Sequence, residues 1–555
     1  MILFAWSASY IRSDMEIGKK LVLKCICILL LFGIGQGSAH AQGKEIELTY
    51  GTEFDPQGSI NEFIGQIGDV IYVSSWKKGF ILGGVDANTL KSRFEVKIPM
   101  PEYKGETVEF KEIHILDNQL VIFMEYFDRE AQKHFLFAQQ VSDKGDLQGD
   151  MIKLDEISAE KRRNAGSFSV DVYTVSKRIL VFRSPPFEKY GKEKFAFKVL
   201  DKDLEIIWQD ELELPYADQY FTLDDFFVDD NDHLYVTASF DDYRQTKELD
   251  GRKKAKVELR ERGGNYNTYK IISYDYQQKK IKEFEIALDA GLSIIDIGYN
   301  IDPAGDINVS GFYGDQQSKG SAIGVYFTKI DHKTKKPTSL HLKEFEKEWI
   351  KGYMETFMSE KNAERSIDKG VGISDLQIRE FVNRTDGGLL IVGEIYRYYR
   401  SCYTDSRGYT RCTDHYIYGS IFVINVDPEG VIDWVAAIPK MQHTVNDGGY
   451  YSSYAMIVDD GGLYFIFNDN AKNYDPKKKP NKLYSMGGTK RSVTTIAKVD
   501  NAGKITKEPN AKLKAEKMLL RPKVRRTVIE KNNRKLLLLA KYGKKERVVE
   551  MHVQR

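Results

Sequence analysis

Proline and cysteine are scarce, at 14 and four in 555 residues, and neither charge sign dominates. Low proline with 44 glycines in no strict period excludes a collagenous or low-complexity chain. With 82 Lys+Arg against 81 Asp+Glu, net charge gives no global case for a nucleic-acid or membrane-surface binder. Motifs of chemistry are absent too. No His-Glu-x-x-His, Gly-x-Ser-x-Gly, Walker loop, dinucleotide fingerprint or EF-hand spacing occurs, and no cofactor or metal is implied. What is present is 42% apolar residues, ample for a packed core, and 33 Tyr with 29 Phe.

The longest apolar run lies near the start. From Met15, Lys19, Lys20 and Lys24 precede the run Cys25–Ile34, and Ala39-His40-Ala41 offers a small-x-small cleavage site. Residues 1–41 therefore read as a signal peptide, with Met15 a better start than Met1. The run is too short to span a membrane. An exported chain is expected, periplasmic, outer-membrane associated or secreted, with no transmembrane span and with peripheral membrane association left open. Cleavage leaves two cysteines, Cys402 and Cys412, symmetric about Arg407 in a segment whose middle, Asp405 to Gly408, signals a turn. A disulfide across a hairpin is expected; two inert thiols are the alternative.

The rest of the chain, residues 42–555, is a single repeat domain. Eight apolar strands recur: 70–76, 120–126, 179–184, 234–240, 307–313, 389–396, 463–469 and 536–542. Each follows an alternating strand and a tight polar turn. Each precedes a variable loop and a third strand ending near Asp, at Asp86, Asp201, Asp275, Asp331, Asp427 and Asp500, with Asp143 displaced by one. Asp fits there as a turn residue rather than a catalytic acid. The pattern predicts an all-β, eight-bladed β-propeller of four-stranded blades. The eighth unit lacks a fourth strand, and KEIELTY (44–50) resembles the fourth strands DELELP and KEFEIAL. The N-terminal strand is thus predicted to complete the last blade and close the ring.

Strand order sorts the loops onto two faces. The a–b turns are short, whereas the inserts at 241–265, 398–415, 470–491 and 345–372 all fall on the opposite face. Phe345, Trp349, Tyr353 and Phe357 recur every four residues, predicting a short helical insert around 345–363 packed on the propeller. The segment 396–418 interleaves Tyr and Arg, a composition of interaction surfaces and equally of an ordinary solvated hairpin. Its ligand-binding candidates are Tyr396, Tyr398, Tyr399, Arg400, Tyr403, Arg407, Tyr409 and Arg411. Charge is also uneven: residues 476–555 hold 24 Lys+Arg and 6 Asp+Glu, while 42–475 hold 54 and 73. Lys477, Lys478, Lys479, Lys523, Arg525 and Arg526 are the candidates of this basic sector. The Asp-rich stretches 224–232 and 468–475 read as turns rather than calcium sites.

The stretch FMSEKNAERSIDKGVGIS (357–374) followed by DGGLLIVGE (386–394) resembles uncharacterised secreted propeller-like proteins of Bacteroidota-type bacteria. That resemblance implies a propeller and carries no activity. The expected function is an exported, non-enzymatic binding or scaffold protein taking an envelope or extracellular protein, peptide or glycan on the long-loop face, and no nucleic acid. The alternatives are a glycan-active hydrolase or lyase with carboxylates at the channel mouth, and a structural component of a cell-envelope assembly.

Overall fold

The computed structural model describes residues 46–553 apart from 174–175, 189–190, 219–220, 230–232, 241–267, 290, 303, 335, 339, 460–461, 479–481, 489–490, 511–512, 514–517 and 531–532. The signal segment 1–41, the insert 241–265 and Lys479 lie outside the described residues.

Short polar turns between apolar strands favour antiparallel hairpins, and the chain is built of them. Among the described residues it forms eight sheets of four or five strands, in which strands consecutive in sequence pair, apart from Ile46–Tyr50 and Gln442–Val445. Their first strands are Ile60–Ile67, Glu109–Leu116, Ser167–Tyr173, Phe221–Val228, Leu292–Ile301, Leu376–Asn383, Tyr454–Asp459 and Leu519–Glu530, numbered here as sheets 1 to 8. All eight apolar strands read from the sequence are the second strands of these sheets. The fourth strand of sheet 8 is Ile46–Tyr50, with Leu48 opposite Met551 and Tyr50 opposite Val549.

Second strands are apolar throughout because both their faces are covered. In sheet 8, Leu536 and Leu538 pack against Tyr464 and Ile466 of sheet 7. Leu537 and Leu539, pointing the other way, pack against Ile71 and Val73 of sheet 1. Burying each such leucine is worth about 1.5–3 kcal/mol. The same relation holds between sheets 1 and 2, 2 and 3, 3 and 4, 4 and 5, 5 and 6, and 6 and 7. Successive four-stranded sheets packed face to face make a β-propeller.

The recurrent Asp residues do what turn chemistry requires. Asp201 Oδ1 accepts from the backbone N–H groups of Asp203 and Glu205 at 2.9 and 3.0 Å. Asp500 holds Ala502 and Lys504 likewise, at 3.0 and 2.9 Å. Where Asp143 is displaced, Ser142 Oγ takes over, accepting from Lys144 and Asp146 at 3.2 and 3.0 Å.

The helical insert between sheets 5 and 6 differs from the single helix expected. It contains α1 (Lys347–Glu355) and α2 (Glu360–Asp368). Ser359 interrupts them in an extended conformation, and its carbonyl accepts from Asn362 and Ala363 to start the second helix. Trp349 and Tyr353 both meet Phe422 edge-on at 5.7 Å, so the aromatic stripe packs on sheet 6. Phe357 leaves it, at 44% exposure, because α1 has ended before it.

Candidate functional site at the long-loop face

The b–c insert of sheet 6 is not a loop. Strands Leu389–Thr404 and Thr410–Val426 run on past the sheet as one long hairpin. Cys402 and Cys412 are directly opposite in register and disulfide-bonded. Asp405 Oδ1 closes the tip by accepting from Arg407 and Tyr409 at 2.9 and 3.1 Å. Gly408 takes the positive φ (82°) that ends the turn. A short strand, Gln442–Val445, returns beside the hairpin's base as the fifth strand of the sheet.

Alternation divides the eight candidates between two faces. Tyr396, Tyr398 and Arg400 share one face with the disulfide. There Tyr396 meets Tyr418 at 4.8 Å and Tyr398 meets Tyr416 at 5.2 Å. Arg400 grips Asp414 through Nε and Nη2 at 2.6 and 3.0 Å, while the Tyr398 hydroxyl donates to the same carboxylate at 2.8 Å. These bonds hold the Asp414 carboxyl below the usual range. On the other face, Tyr399 stacks on His415 at 4.4 Å, and Tyr403 lies opposite Arg411. Tyr403 and Tyr409 are 70% and 68% exposed, with Arg407 and Arg411 exposed beside them.

At the base of the hairpin lies a polar cluster that sequence reasoning missed. Lys440 Nζ is 2.8 Å from Glu394 Oε1 and 3.1 Å from Gln442 Oε1, and both charged side chains are 0% exposed. Ser453 Oγ donates to the other Glu394 oxygen at 2.8 Å, with Arg379 Nε 3.5 Å from it. Arg379 lies 5.1 Å from the Tyr396 ring centroid. Glu394 belongs to a recurring set: a charged residue near the loop end of the second strand, tied to a neighbour. Glu125 pairs with Lys111 at 3.0 Å, Asp469 with Lys507 at 2.7 Å and Lys541 with Glu546 at 2.6 Å. That regular charge inside an apolar strand is the signal that was available in the sequence.

The basic candidates separate. Lys477 and Lys478 are exposed in the loop after Asp475, whose carboxylate accepts from the Lys477 N–H at 3.0 Å. Lys523, Arg525 and Arg526 stand on the first strand of sheet 8 and are half-buried. Arg525 Nη2 pairs with Glu380 of sheet 6 at 2.6 Å. Arg526 faces the Glu62 charge from sheet 1. Lys523 Nζ donates to the Tyr418 hydroxyl at 2.6 Å and to the Gly448 carbonyl at 3.1 Å.

Two further clusters lie elsewhere. Asp306, Asp331 and His332, in the short turns of sheet 5, bring three ligand-type atoms within 4.8 Å of one another. Their carboxylates already accept turn N–H groups, and His332 Nδ1 is 2.7 Å from Asp306. In sheet 3, Glu193 is buried beside Asp218. Burial first, then the Asp218 carboxylate, pushes the Glu193 carboxyl up to about 8. The native state therefore keeps a proton that the unfolded chain loses near pH 4.5. Its favourable contribution is complete below that pH and is lost as pH rises through about 8. Relative to wild type, Glu193→Gln is expected to gain a few kcal/mol of stability between about pH 5.5 and 8.5. Urea midpoints of both proteins at the two pH values check this, and a constant difference would refute it.

No family model matches the chain, and no curated protein does. Solved structures match it distantly. A quinohemoprotein alcohol dehydrogenase from Pseudomonas putida HK5 is 10% identical with TM-score 0.42, covering 91% of this chain and 76% of that one. The Dos1 propeller is 10% identical with TM-score 0.42, over 91% and 95%. A protein of unknown function from Bacteroides caccae is 10% identical with TM-score 0.26, over 66% and 91%. At these scores the likeness carries no argument about activity.

Proposed function

We propose that this chain is an exported, closed eight-bladed propeller that binds a protein, peptide or glycan on its long-loop face, as a binding or scaffold protein of the cell envelope or exterior. The observation that carries the reading is the disulfide-pinned hairpin, standing beyond its sheet with Tyr403 and Tyr409 about two-thirds exposed. Covalent closure keeps the tip ordered before binding, which lowers the entropy a partner must overcome. Tyrosine and arginine give that tip apolar area with polar ends. A disulfide persists in oxidising compartments, which supports export together with the signal-like segment 1–41. Among the described residues no helix is long and apolar enough to cross a membrane. Packing of sheet 8 on sheet 1, with Ile46–Tyr50 as its outer strand, supports the closed ring of eight.

Binding is favoured over catalysis by the state of the buried carboxylates at the mouth, where the loop ends of sheets 6 and 8 meet through Lys523 and Tyr418. Glu394 accepts from Lys440 and Ser453, and Glu546 from Ser59, Ile60 and Lys541. Carboxylates so fully engaged have little freedom for acid–base work.

The test uses immobilised mature protein and envelope extract of the native organism. The double variant Tyr403→Ala/Tyr409→Ala is expected to retain less than about a tenth of the partner that wild type retains, with its unfolding midpoint unchanged. Cys402→Ser/Cys412→Ser should speed amide exchange at 398–414 without unfolding the sheets. Equal capture by wild type and the tyrosine variant would refute the reading.

A further inference from the structure

The first strand of sheet 8 is interrupted in the mouth. Arg521 is opposite Leu539 and Arg525 is opposite the very next residue, Leu538. Pro522, Lys523 and Val524 are therefore extra residues, bulged out of the ladder. Bulges of this kind re-aim a side chain, and proline suits one because it has no N–H to leave unpaired. Val524 turns into the apolar cluster between sheets 8 and 1. Lys523 turns the other way, across to the base of the sheet 6 hairpin, with its Nζ 4.6 Å from the Tyr418 ring centroid.

Among the described residues Lys523 has no carboxylate within ion-pair distance; its partners are a phenol and a carbonyl. Arg521, at the head of the bulge, also lacks one among the described residues: its guanidinium lies 3.5 Å from the Tyr450 ring centroid and bonds Ile60 and Ser59. Arg379 shares Glu394 with Lys440, which is much closer to it. Among the described residues, setting aside the pairs Lys440–Glu394 and Lys541–Glu546 leaves Lys523, Arg379 and Arg521 as cations here, with Asp447 as a further acid whose charge reaches Lys523. Asp447 is itself engaged by Thr444 and Gly449. Burial lowers the Lys523 amine to about 8; the Glu394 charge opposes this, and the Arg379 and Arg521 charges act with it. An anion entering the mouth would offset the neighbouring cations and favour the charged amine.

Above this positive centre the hairpin face carries a ladder of rings, Tyr418 with Tyr396 and then Tyr416 with Tyr398. We propose that the mouth between sheets 6 and 8 binds a carboxylated oligosaccharide, its carboxylate held between Lys523 and Arg379 and its pyranose rings stacked along Tyr396 and Tyr398. A pyranose supplies both elements the site asks for, a flat C–H face for each ring and a carboxylate at the sugar's edge. This site is separate from the hairpin tip and from the partner proposed for it.

Trigalacturonate is the probe, titrated calorimetrically into the mature protein at moderate salt, with maltotriose and acetyl-trialanine as the neutral-sugar and peptide-carboxylate arms. Trigalacturonate is expected to bind, with Lys523→Met and Arg379→Met each weakening it about tenfold or more, and Tyr398→Ala several-fold. Maltotriose and the tripeptide should not bind. In wild type, trigalacturonate should also slow acetylation of Lys523 by acetic anhydride, read by peptide mass spectrometry, an arm that needs no variant to fold. Unprotected Lys523, undiminished binding by Lys523→Met, or preference for the tripeptide would each overturn the proposal. The tip variant Tyr403→Ala/Tyr409→Ala should bind trigalacturonate normally, so loss of partner capture and loss of sugar binding are told apart.

Discussion

Lys440→Met is expected to destabilise the protein by about 3–5 kcal/mol, among the largest effects of any single side chain outside the apolar core. Lys440 and Glu394 are both fully buried, and the ammonium spends its protons on Glu394 and Gln442. Burial lowers the Lys440 amine and Glu394 works against that, so each charge is tolerable through the other. Without the ammonium, Glu394 keeps the Ser453 hydroxyl and the longer Arg379 contact, 3.5 Å away, as its compensation, in a site closed to water. Gln442 would also lose a donor, and Gln442 anchors the chain by accepting from Ser453 N–H at 2.7 Å. The double variant Lys440→Met/Glu394→Gln removes both charges and should be more stable than Lys440→Met alone. A coupling of at least about 1 kcal/mol is expected in a double-mutant cycle from denaturant midpoints. Additive single effects would show that the pair is not the unit of stability described here.

What the sequence disclosed and what it withheld follow from range. The eight second strands, the Asp turns and the Cys402–Cys412 hairpin depend on residues within a few positions of one another, and period-2 patterning reads them directly. The pairing of Ile46–Tyr50 with Lys545–Val553 is remote, yet it was legible because an otherwise complete repeat lacked one strand. The mouth was not legible. Arg379, Glu394, Lys440, Ser453 and Lys523 come from separate segments and meet because their sheets do. The basic excess of residues 476–555 is met in part by acidic neighbours. Arg525 is neutralised by Glu380 of sheet 6, and Lys507 by Asp469 in its own sheet. Lys523 differs from them through a three-residue bulge that only the register reveals. One helix was read where two exist because the four-residue aromatic repeat passes through Phe357, beyond the end of α1.

Removing the strand Ile46–Tyr50 is expected to be the most damaging small deletion. Its five residues pair one to one with Val549–Val553, and Ile46, Leu48 and Tyr50 pack on the cluster that joins sheets 7 and 8. Those three side chains together account for roughly 3–6 kcal/mol of apolar burial. The deletion also bares a ladder edge on a strand whose Val548, Val549 and Met551 are fully buried in the intact protein. Sheet 8 is clamped between sheets 7 and 1, so loosening it weakens two interfaces at once. Gly51 and Phe54, which bond Val548 and Glu546, are too few to hold the edge alone. A chain starting at residue 51 should therefore melt well below one starting at residue 42, and should associate on size-exclusion chromatography through the free edge. Adding the peptide 42–50 in trans should restore the melting temperature and the monomer, because backbone pairing and three apolar contacts are all the strand contributes. An unchanged midpoint and a monomeric elution would mean that the last sheet is held by its neighbours' faces and that its fourth strand is dispensable.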